Sequence, residues 1–220
     1  MIKDKLYKIK QKLKRLFKNI VIKSKYKTSS NFWIQKVHFQ KIDNRLSFFI
    51  DICNDKDVLH FGCTDWPIFN PKNNLHIQLA NVSKSIDGFD IDIEGIENLR
   101  KYVNQCYYSS FEVIPNKKYD VCLVPETIEH VDNVADFLRF ISKVDAEIFY
   151  FTVPNCFSKA RIENYHIEKN EFIEIVHPDH NAWYSPYTLK NIIEKYSLLE
   201  VNMVYLIDDG KMICCEAKKI

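Results

Sequence analysis

Apolar residues recur every three or four positions over residues 2–21, and lysines with one arginine fill the opposite face. This spacing predicts an amphipathic helix with a basic polar side. Residues 23–31 read as a linker that ends in Thr-Ser-Ser-Asn. We therefore expect a helix and linker over residues 1–30, and a globular domain over residues 31–220.

Beyond the linker, short apolar runs alternate with segments of helical spacing. Strands that alternate with helices imply a mostly parallel sheet covered by helices on both faces. The predicted strands are Asp57–Phe61, Ser85–Ile91, Cys106–Phe111, Tyr119–Val124, Glu147–Val153, Leu199–Ile207 and Met212–Ala217. The predicted helices are Arg45–Cys53, Glu94–Tyr102, Glu126–Ser142 and Tyr187–Tyr196. Asp209-Gly210 separates the last two strands, and Asp-Gly is a strong hairpin signal, so the sheet should end in an antiparallel hairpin.

The charge is distributed unevenly along the 220 residues. Residues 1–27 carry 11 of the 31 basic residues but only one of the 29 acidic ones, so the remainder has a net charge of −8. A basic tail on a mildly acidic body argues against nucleic acid as a partner. The tail has two other candidate partners, namely an anionic membrane surface and a second copy of the chain.

Seven cysteines without a CxxC pair suit reduced, mostly buried thiols in a cytosolic protein. No run reaches the ~18 apolar residues of a spanning helix. The basic N-terminus also lacks the apolar core of a secretory signal. We expect a cytoplasmic protein, peripheral at the inner membrane face if the basic helix docks there.

Three segments, taken in order, resemble the class I S-adenosylmethionine (SAM)-dependent methyltransferases. Val58–Asp65 is similar to that family's first strand and Gly-rich loop, Gly88–Asp92 to its second strand with a terminal acid, and Tyr119–Glu126 to its fourth strand. The resemblance spans residues 43–220. It implies an α/β, Rossmann-like, seven-stranded and mostly parallel sheet with a C-terminal antiparallel hairpin, with helices on both faces and SAM as the cofactor.

The same resemblance implies a set of SAM-binding residues. Gly62 lets the backbone approach the ligand, Asp90 accepts both ribose hydroxyls, and Ile91 covers adenine. The implied set is His60, Gly62, Asp90, Ile91, Ser110 and Pro125. The chain departs from the family's acid-x-Gly-x-Gly-x-Gly pattern, because His60 stands for the leading acid and only the first glycine remains.

A Glu-x-x-Glu-His motif follows the fourth strand. In the helix predicted there, positions i, i+3 and i+4 share one face. With a later histidine before an aromatic-Ser-Pro turn, the motif resembles metal-assisted O-methyltransferases, including ubiquinone-biosynthesis enzymes and small-RNA 2′-O-methyltransferases. The resemblance implies one divalent cation, Mg²⁺, Mn²⁺ or Zn²⁺, held by Glu126, Glu129, His130 and His180. Glu129, His130 and His180 are the implied catalytic residues.

These residues lead to an expected reaction. A cation lowers the pKa of a coordinated hydroxyl and fixes its direction. We expect metal-assisted O-methylation of a sugar or nucleotide-sugar hydroxyl in surface-polysaccharide biosynthesis, with a small-molecule or glycan acceptor. Two alternatives stay open: a metal-independent N-methyltransferase acting on a small amine or phosphate-linked precursor, and a catalytically inactive binding module.

Overall fold

The computed structural model describes residues 35–159 and 165–220. Apart from Gln35 and Lys36, these residues belong to the unit Val37–Ile220. The helix and linker predicted over residues 1–30 lie outside the described residues, so their membrane and self-association roles stay predictions. Within the described ranges, every helix is too short or too polar to cross a lipid bilayer.

The described elements alternate between strands and helices. The strands are β1 (Gln40–Ile42), β2 (Asp57–Phe61), β3 (Ser85–Phe89), β4 (Tyr107–Tyr108), β5 (Tyr119–Pro125), β6 (Ala146–Pro154), β7 (Tyr165–Glu168), β8 (Glu171–Glu174), β9 (Leu199–Ile207) and β10 (Met212–Lys219). The helices are α1 (Arg45–Cys53), α2 (Leu75–Ala80), α3 (Ile93–Leu99), α4 (Val134–Ile141) and α5 (Pro186–Tyr196). Single 3₁₀ turns lie at Phe111–Val113 and Ile128–His130.

The main sheet has the strand order β1-β9-β10-β6-β5-β2-β3-β4. Its strands are parallel except β10, which runs antiparallel to both β6 and β9. This confirms the Rossmann-like, mostly parallel sheet with a C-terminal antiparallel hairpin. The described sheet has eight strands rather than seven, because β1 adds to the edge beside β9.

The strand order reverses between β2 and β5. From β2 the chain proceeds to β3 on one side, and from β5 it proceeds to β6 on the other. The two central strands pair in register from Val58↔Val121 to His60↔Leu123. Ligands of open α/β sheets bind beyond the carboxyl ends of the strands at such a reversal. The residues that follow Phe61 and Pro125 are therefore placed to form a ligand site.

Both faces of the sheet are covered by helices. Successive strand residues point to opposite faces, so Leu59 and Phe61 enter one core and Val58 the other. The first core includes buried residues of α4 and α5, and the second includes buried residues of α1 and α2. Since the packed core fixes β2 and β5 from both sides, the loops at their carboxyl ends stand on a rigid base.

The helix predicted over Glu126–Ser142 is wrong in its first half. Glu126 has a left-handed backbone with φ of 42°, which interrupts helical geometry. A 3₁₀ turn follows, and α4 begins only after Asn133, whose side chain accepts a hydrogen bond from the Asp136 amide at 3.2 Å. Asparagine is a strong N-cap, which explains the late start of the helix.

The strand predicted over Cys106–Phe111 shrinks to two residues. It pairs with β3 alone, through Gly88↔Tyr107 and Phe89↔Tyr108. Among the described residues, β4 is the last strand at this edge of the sheet, and the chain turns from it into the 3₁₀ segment Phe111–Val113. The neighbouring strand, predicted over Ser85–Ile91, ends at Phe89 because the Asp90 and Asp92 region leads into α3.

Candidate active site

Gly62 directly follows β2 and occupies a conformation that favours glycine. Its φ is 67°, and its amide donates a hydrogen bond to the Phe89 carbonyl at 2.9 Å. A Cβ at this position would lie 2.6 Å from Oγ1 of Thr127, the residue that follows the end of β5 by two. The glycine is therefore required by the backbone and by the close fit of the two strand ends, independently of any ligand.

Asn74 organises the loop that follows Gly62. Its Nδ2 donates to the Cys63 carbonyl and to Asp65 Oδ2, both at 3.0 Å, and its Oδ1 accepts from the Ile77 amide at 3.0 Å. One buried side chain thus closes the loop onto the N-terminus of α2. Hydrogen bonds from Asn74 hold a loop that lacks the family's second and third glycines. The sequence analysis did not identify Asn74, which lies 12 residues after Gly62.

Asp90 lies beyond the end of β3, where the resemblance placed a ribose ligand. Its Oδ2 accepts from the Thr64 amide at 3.1 Å and the Thr64 hydroxyl at 2.8 Å, and its Oδ1 accepts from the Asp92 amide at 3.1 Å. A carboxylate has about four acceptor positions, so about one is left. In this conformation Asp90 can accept one ribose hydroxyl, rather than both. Ile91 beside it is 82% exposed and presents an apolar surface to a ligand.

The other predicted cofactor residues surround the same edge of the sheet. Pro125 is the buried last residue of β5, and its carbonyl accepts a hydrogen bond from the Thr127 hydroxyl at 2.9 Å. Ser110 follows β4 and precedes the 3₁₀ turn Phe111–Val113. Tyr108 links β4 to the residue that follows β3, because its carbonyl accepts a hydrogen bond from the Asp90 amide at 3.1 Å.

His60 points into the second core, against α2. Its Nδ1 lies 3.2 Å from Nδ1 of His76, and the two rings stack with their centroids 5.3 Å apart. Both side chains are buried, and neither Nε2 has a hydrogen-bond partner in the part of the chain described. Burial lowers the pKa of both, that of His76 to about 3. His60 is therefore a neutral ring and does not supply the negative charge of the acid that it replaces.

Glu126 stands apart from the other predicted metal ligands. Its Oε2 lies 3.0 Å from Arg45 Nη2, and its Oε1 accepts from the Thr152 hydroxyl at 2.9 Å. Burial raises the pKa of this carboxyl, and the Arg45 charge opposes the rise. The helical face proposed to join Glu126 to Glu129 does not form, because Glu126 has left-handed rather than helical dihedral angles.

Glu129, His130 and His180 are brought together. Each offers one ligand atom, and these atoms all lie within 4.8 Å of one another. The rings of His130 and His180 meet edge to face, with centroids 4.6 Å apart. The Glu129 side chain is buried, and neither of its carboxylate oxygens has a hydrogen-bond partner among the described residues. Burial raises the pKa of Glu129 to about 8.

Asn181 fixes the geometry of this group. Its backbone amide donates to the Glu129 carbonyl at 2.8 Å, and its Nδ2 donates to the His130 carbonyl at 2.9 Å. The loop that carries His180 is thereby held against the 3₁₀ turn that carries Glu129 and His130. His177 completes the surroundings, since its ring centroid lies 5.5 Å from that of His130. Neither Asn181 nor His177 was among the predicted site residues.

The donor set suits a cation. A buried carboxylate without a hydrogen-bond donor is costly, and it is relieved either by a proton or by a metal ion. Two imidazoles with one carboxylate are typical ligands of Zn²⁺, Mn²⁺ and Fe²⁺. Outside this cluster, Asp90 retains about one acceptor position, and the buried Arg45 Nε has no hydrogen-bond partner within the described ranges.

Comparison with known proteins agrees with this architecture. The model of a family described as a methyltransferase domain matches residues 32–198. Among curated proteins, no sequence matches the chain. A SAM-dependent methyltransferase from Aquifex aeolicus has a similar structure, with a TM-score of 0.56, 15% identity, and coverage of 80% of this chain and 87% of that one.

Two further structures give the same result. A SAM-dependent methyltransferase from Archaeoglobus fulgidus aligns with a TM-score of 0.54 and 17% identity over 80% of this chain and 91% of that one. The N-methyltransferase NodS from Bradyrhizobium japonicum, in complex with S-adenosylhomocysteine (SAH), aligns with a TM-score of 0.51 and 10% identity over 80% of this chain and 85% of that one. The chain therefore belongs to the methyltransferase-domain family, and its fold is similar to that of SAM-dependent methyltransferases.

Proposed function

We propose that this enzyme transfers the methyl group of SAM to a hydroxyl that is positioned by a divalent cation at Glu129, His130 and His180. One observation carries the proposal: a buried carboxylate without a hydrogen-bond donor in the described structure lies beside two imidazoles. Buried polar atoms in folded proteins nearly always have a hydrogen-bond partner, so a ligand that completes these three side chains would explain the unsatisfied carboxyl group.

The ligand set favours particular metals. One carboxylate and two imidazoles fill three coordination positions, which leaves others for an acceptor. Mg²⁺ prefers oxygen ligands, whereas Mn²⁺ and Zn²⁺ accept imidazole nitrogen readily. Mn²⁺ and Zn²⁺ are therefore better candidates than Mg²⁺ for this centre.

The chain's own residues account for the rest of the mechanism. When bound, the cation would lower the pKa of a coordinated hydroxyl, so that its oxygen becomes the better nucleophile. Asn181 holds the two ligand-bearing segments at a fixed separation, and Glu129 is held on the segment that directly follows β5. Methyl transfer needs in-line approach of the oxygen to the sulfonium methyl. This fixed placement therefore increases the rate by orienting the reacting groups. The methyl carbon gains a C–O bond as its C–S bond breaks, and the hydroxyl proton passes to solvent.

The acceptor that we propose is a sugar or nucleotide-sugar hydroxyl in surface-polysaccharide biosynthesis. Two neighbouring hydroxyls of a sugar can chelate one cation, which suits a centre with open positions. A metal-independent N-methyltransferase is the second candidate. The observation in its favour is the Glu126–Arg45 ion pair, which occupies one of the four predicted metal ligands.

Radiolabelled SAM tests the proposal. We expect transfer of label to sugars or nucleotide sugars in the presence of Mn²⁺ or Zn²⁺, and its loss in excess EDTA. Glu129→Gln should abolish transfer while SAM still binds. Glu147→Gln is the matched control, because Glu147 is an exposed partner of Lys118 near the amino end of β6, whereas the cluster follows the carboxyl end of the parallel strand β5. Full transfer to an amine in EDTA would instead establish the second candidate.

A further inference from the structure

Thr64 occupies one oxygen of the Asp90 carboxylate. Its backbone amide donates to Asp90 Oδ2 at 3.1 Å, and its hydroxyl donates to the same oxygen at 2.8 Å. A carboxylate oxygen has about two acceptor positions, so Thr64 fills those of Oδ2. The Asp92 amide donates to Oδ1 at 3.1 Å. Within the described residues, these donors leave Asp90 about one acceptor position, and it lies on Oδ1.

This arrangement prevents Asp90 from binding a vicinal diol with both of its oxygens. Two neighbouring ribose hydroxyls can each donate to a different oxygen of one carboxylate, but only when both oxygens have an open position. Oδ2 of Asp90 has no open position while Thr64 stays in place. The ribose of a bound cofactor can therefore donate one hydroxyl to Oδ1, and its other hydroxyl has no acceptor on Asp90.

The packing around Thr64 holds its hydroxyl in this position. The residue is buried, with 2% of its surface exposed. Gly95 of α3 lies against it, since an added Cβ there would lie 2.8 Å from Thr64 Cβ and 2.9 Å from Thr64 Oγ1. The Trp66 amide donates to Thr64 Oγ1 at 3.4 Å. A hydroxyl that accepts one hydrogen bond still donates its own hydrogen, and Asp90 is the acceptor here.

The loop that carries Thr64 is fixed as well. The buried Asn74 side chain donates to the Thr64 carbonyl at 3.4 Å and to Asp65 Oδ2 at 3.0 Å. Asp65 itself has a left-handed backbone with φ of 54°. Displacing Thr64 by a second ribose hydroxyl would therefore disturb several hydrogen bonds of one buried network, which makes the displacement unfavourable.

We propose that Thr64 is a specificity-determining residue for the cofactor, and that it limits recognition of the SAM ribose to one of the two hydroxyls. The enzyme should then bind a SAM analogue that lacks the unread hydroxyl as well as it binds SAM. The inference rests on the proposed function only in taking SAM as the methyl donor, and it requires no cation. Thr64 stands at the second glycine of the acid-x-Gly-x-Gly-x-Gly pattern, where a glycine has no hydroxyl to compete with the ribose.

The test is calorimetric titration of the full chain in EDTA with SAH, 2′-deoxy-SAH and 3′-deoxy-SAH. EDTA removes any bound cation, so the affinities report on the cofactor site alone. We expect one deoxy analogue to bind as tightly as SAH. The other should bind roughly ten- to a hundredfold more weakly, because it lacks the one hydrogen bond that the ribose makes to a charged acceptor.

Two substitutions of Thr64 separate the effect of its hydroxyl from that of its shape. Thr64→Val keeps the branched side chain and the backbone amide but removes the hydroxyl, which opens a position on Asp90 Oδ2. This variant should bind SAH more tightly, and both deoxy analogues should bind to it more weakly than SAH does. Thr64→Ser is the matched control, because it keeps the hydroxyl and should retain the difference between the two analogues.

The outcomes separate the inference from the function on which it rests. Equal weakening of both deoxy analogues in the unmodified chain would overturn the inference, because Asp90 would then bind both hydroxyls, and it would leave SAM as the cofactor. Unchanged affinity for both analogues would overturn it as well, because neither hydroxyl would be bound. These two results do not depend on whether Thr64→Val folds. Absence of SAH binding would overturn the inference together with SAM as the methyl donor.

Discussion

The Nδ1 atoms of His60 and His76 lie 3.2 Å apart between β2 and α2. Two neutral imidazoles can share a hydrogen bond at this distance only as opposite tautomers, one as donor and the other as acceptor. A proton added to either ring would bury a charge, and burial lowers the pKa of both rings; His76 and Arg45 lower that of His60 further. The pair joins β2 to the helix that Asn74 caps, so its protonation bears on the loop that follows Gly62.

This pair predicts a loss of stability in mild acid. Both histidines have a folded-state pKa below the ordinary value near 6.5, that of His76 about 3. Their contribution is complete above the unfolded pKa and is lost as pH falls from about 6.5 towards the folded values. Each should lower the free energy of unfolding by about 1.4 kcal/mol per pH unit in that window. Urea unfolding at pH 7.5, 6.5 and 5.5 measures this pH dependence of the free energy of unfolding.

His76→Gln should reduce that pH dependence, because one buried titrating ring is removed. His166→Gln is the control, since His166 is an exposed residue of β7 and should leave the slope unchanged. Equal slopes for all three proteins would show that the buried pair does not govern the acid response.

Gly62 allows conformational strain to be separated from steric contact. Gly62→Ala should destabilise the fold both because φ is 67° and because the new Cβ would lie 2.6 Å from Thr127 Oγ1. Gly210→Ala has a φ of 79° but no neighbouring atom within 4 Å, so it should show the conformational cost alone, about 1 kcal/mol. We expect a clearly larger loss at Gly62 in denaturant titrations.

Thr127→Ala in the Gly62→Ala background should recover the steric part of that loss. Equal destabilisation at Gly62 and Gly210 would contradict the close contact between the ends of β2 and β5.

Replacing Asp90 should lower both the stability of the fold and the affinity for the cofactor. Asp90→Ala removes the acceptor of the two Thr64 bonds and the position left for a ribose hydroxyl. Hydrogen bonds to a charged group contribute roughly 1.5–3 kcal/mol each, so we expect lower thermal stability and a weaker SAH affinity by calorimetry. Asp51→Ala, an exposed position in α1, is the control. A folded Asp90→Ala protein with unaltered SAH affinity would show that Asp90 does not bind the cofactor.

Much of the fold could be predicted from the sequence, because β2, β5, β6, β9 and β10 bury apolar runs. The elements that were missed lack that signal. β1 has three residues that are exposed or half-buried at a sheet edge. β7 and β8 form a separate two-stranded sheet whose residues are mostly exposed, so no buried face marks them. The six-residue α2 is too short to display a helical period.

The site was predictable in its residue types but less so in its geometry. Glu129, His130 and His180 were identified and lie together. The position of Glu126 is set by a left-handed backbone conformation, which a glutamate rarely adopts. The local sequence spacing does not reveal this conformation and indicated a helix instead. Arg45, His76 and Asn74 act on the site through tertiary contacts, and no local pattern around Gly62 reveals them.

Glu129 should make the metal-free protein sensitive to alkali. Its folded-state pKa of about 8 exceeds the ordinary value, so its contribution to stability is complete below pH 4.5 and is lost as pH rises towards 8. In EDTA at pH 8, Glu129→Gln should therefore be more stable than the unmodified chain, because the amide carries no charge to bury. Thermal unfolding compares the two, and a less stable variant would indicate that the carboxylate is satisfied without a metal.

Mn²⁺ binding, followed by electron paramagnetic resonance, tests the central claim most directly. The free ion gives a strong six-line spectrum that is lost on binding, so titration yields the number of sites. We predict one Mn²⁺ per chain in the unmodified protein and in Glu147→Gln, and the full free-ion signal in Glu129→Gln. Equal spectra for Glu129→Gln and the unmodified protein would contradict a cation centre built on Glu129, His130 and His180.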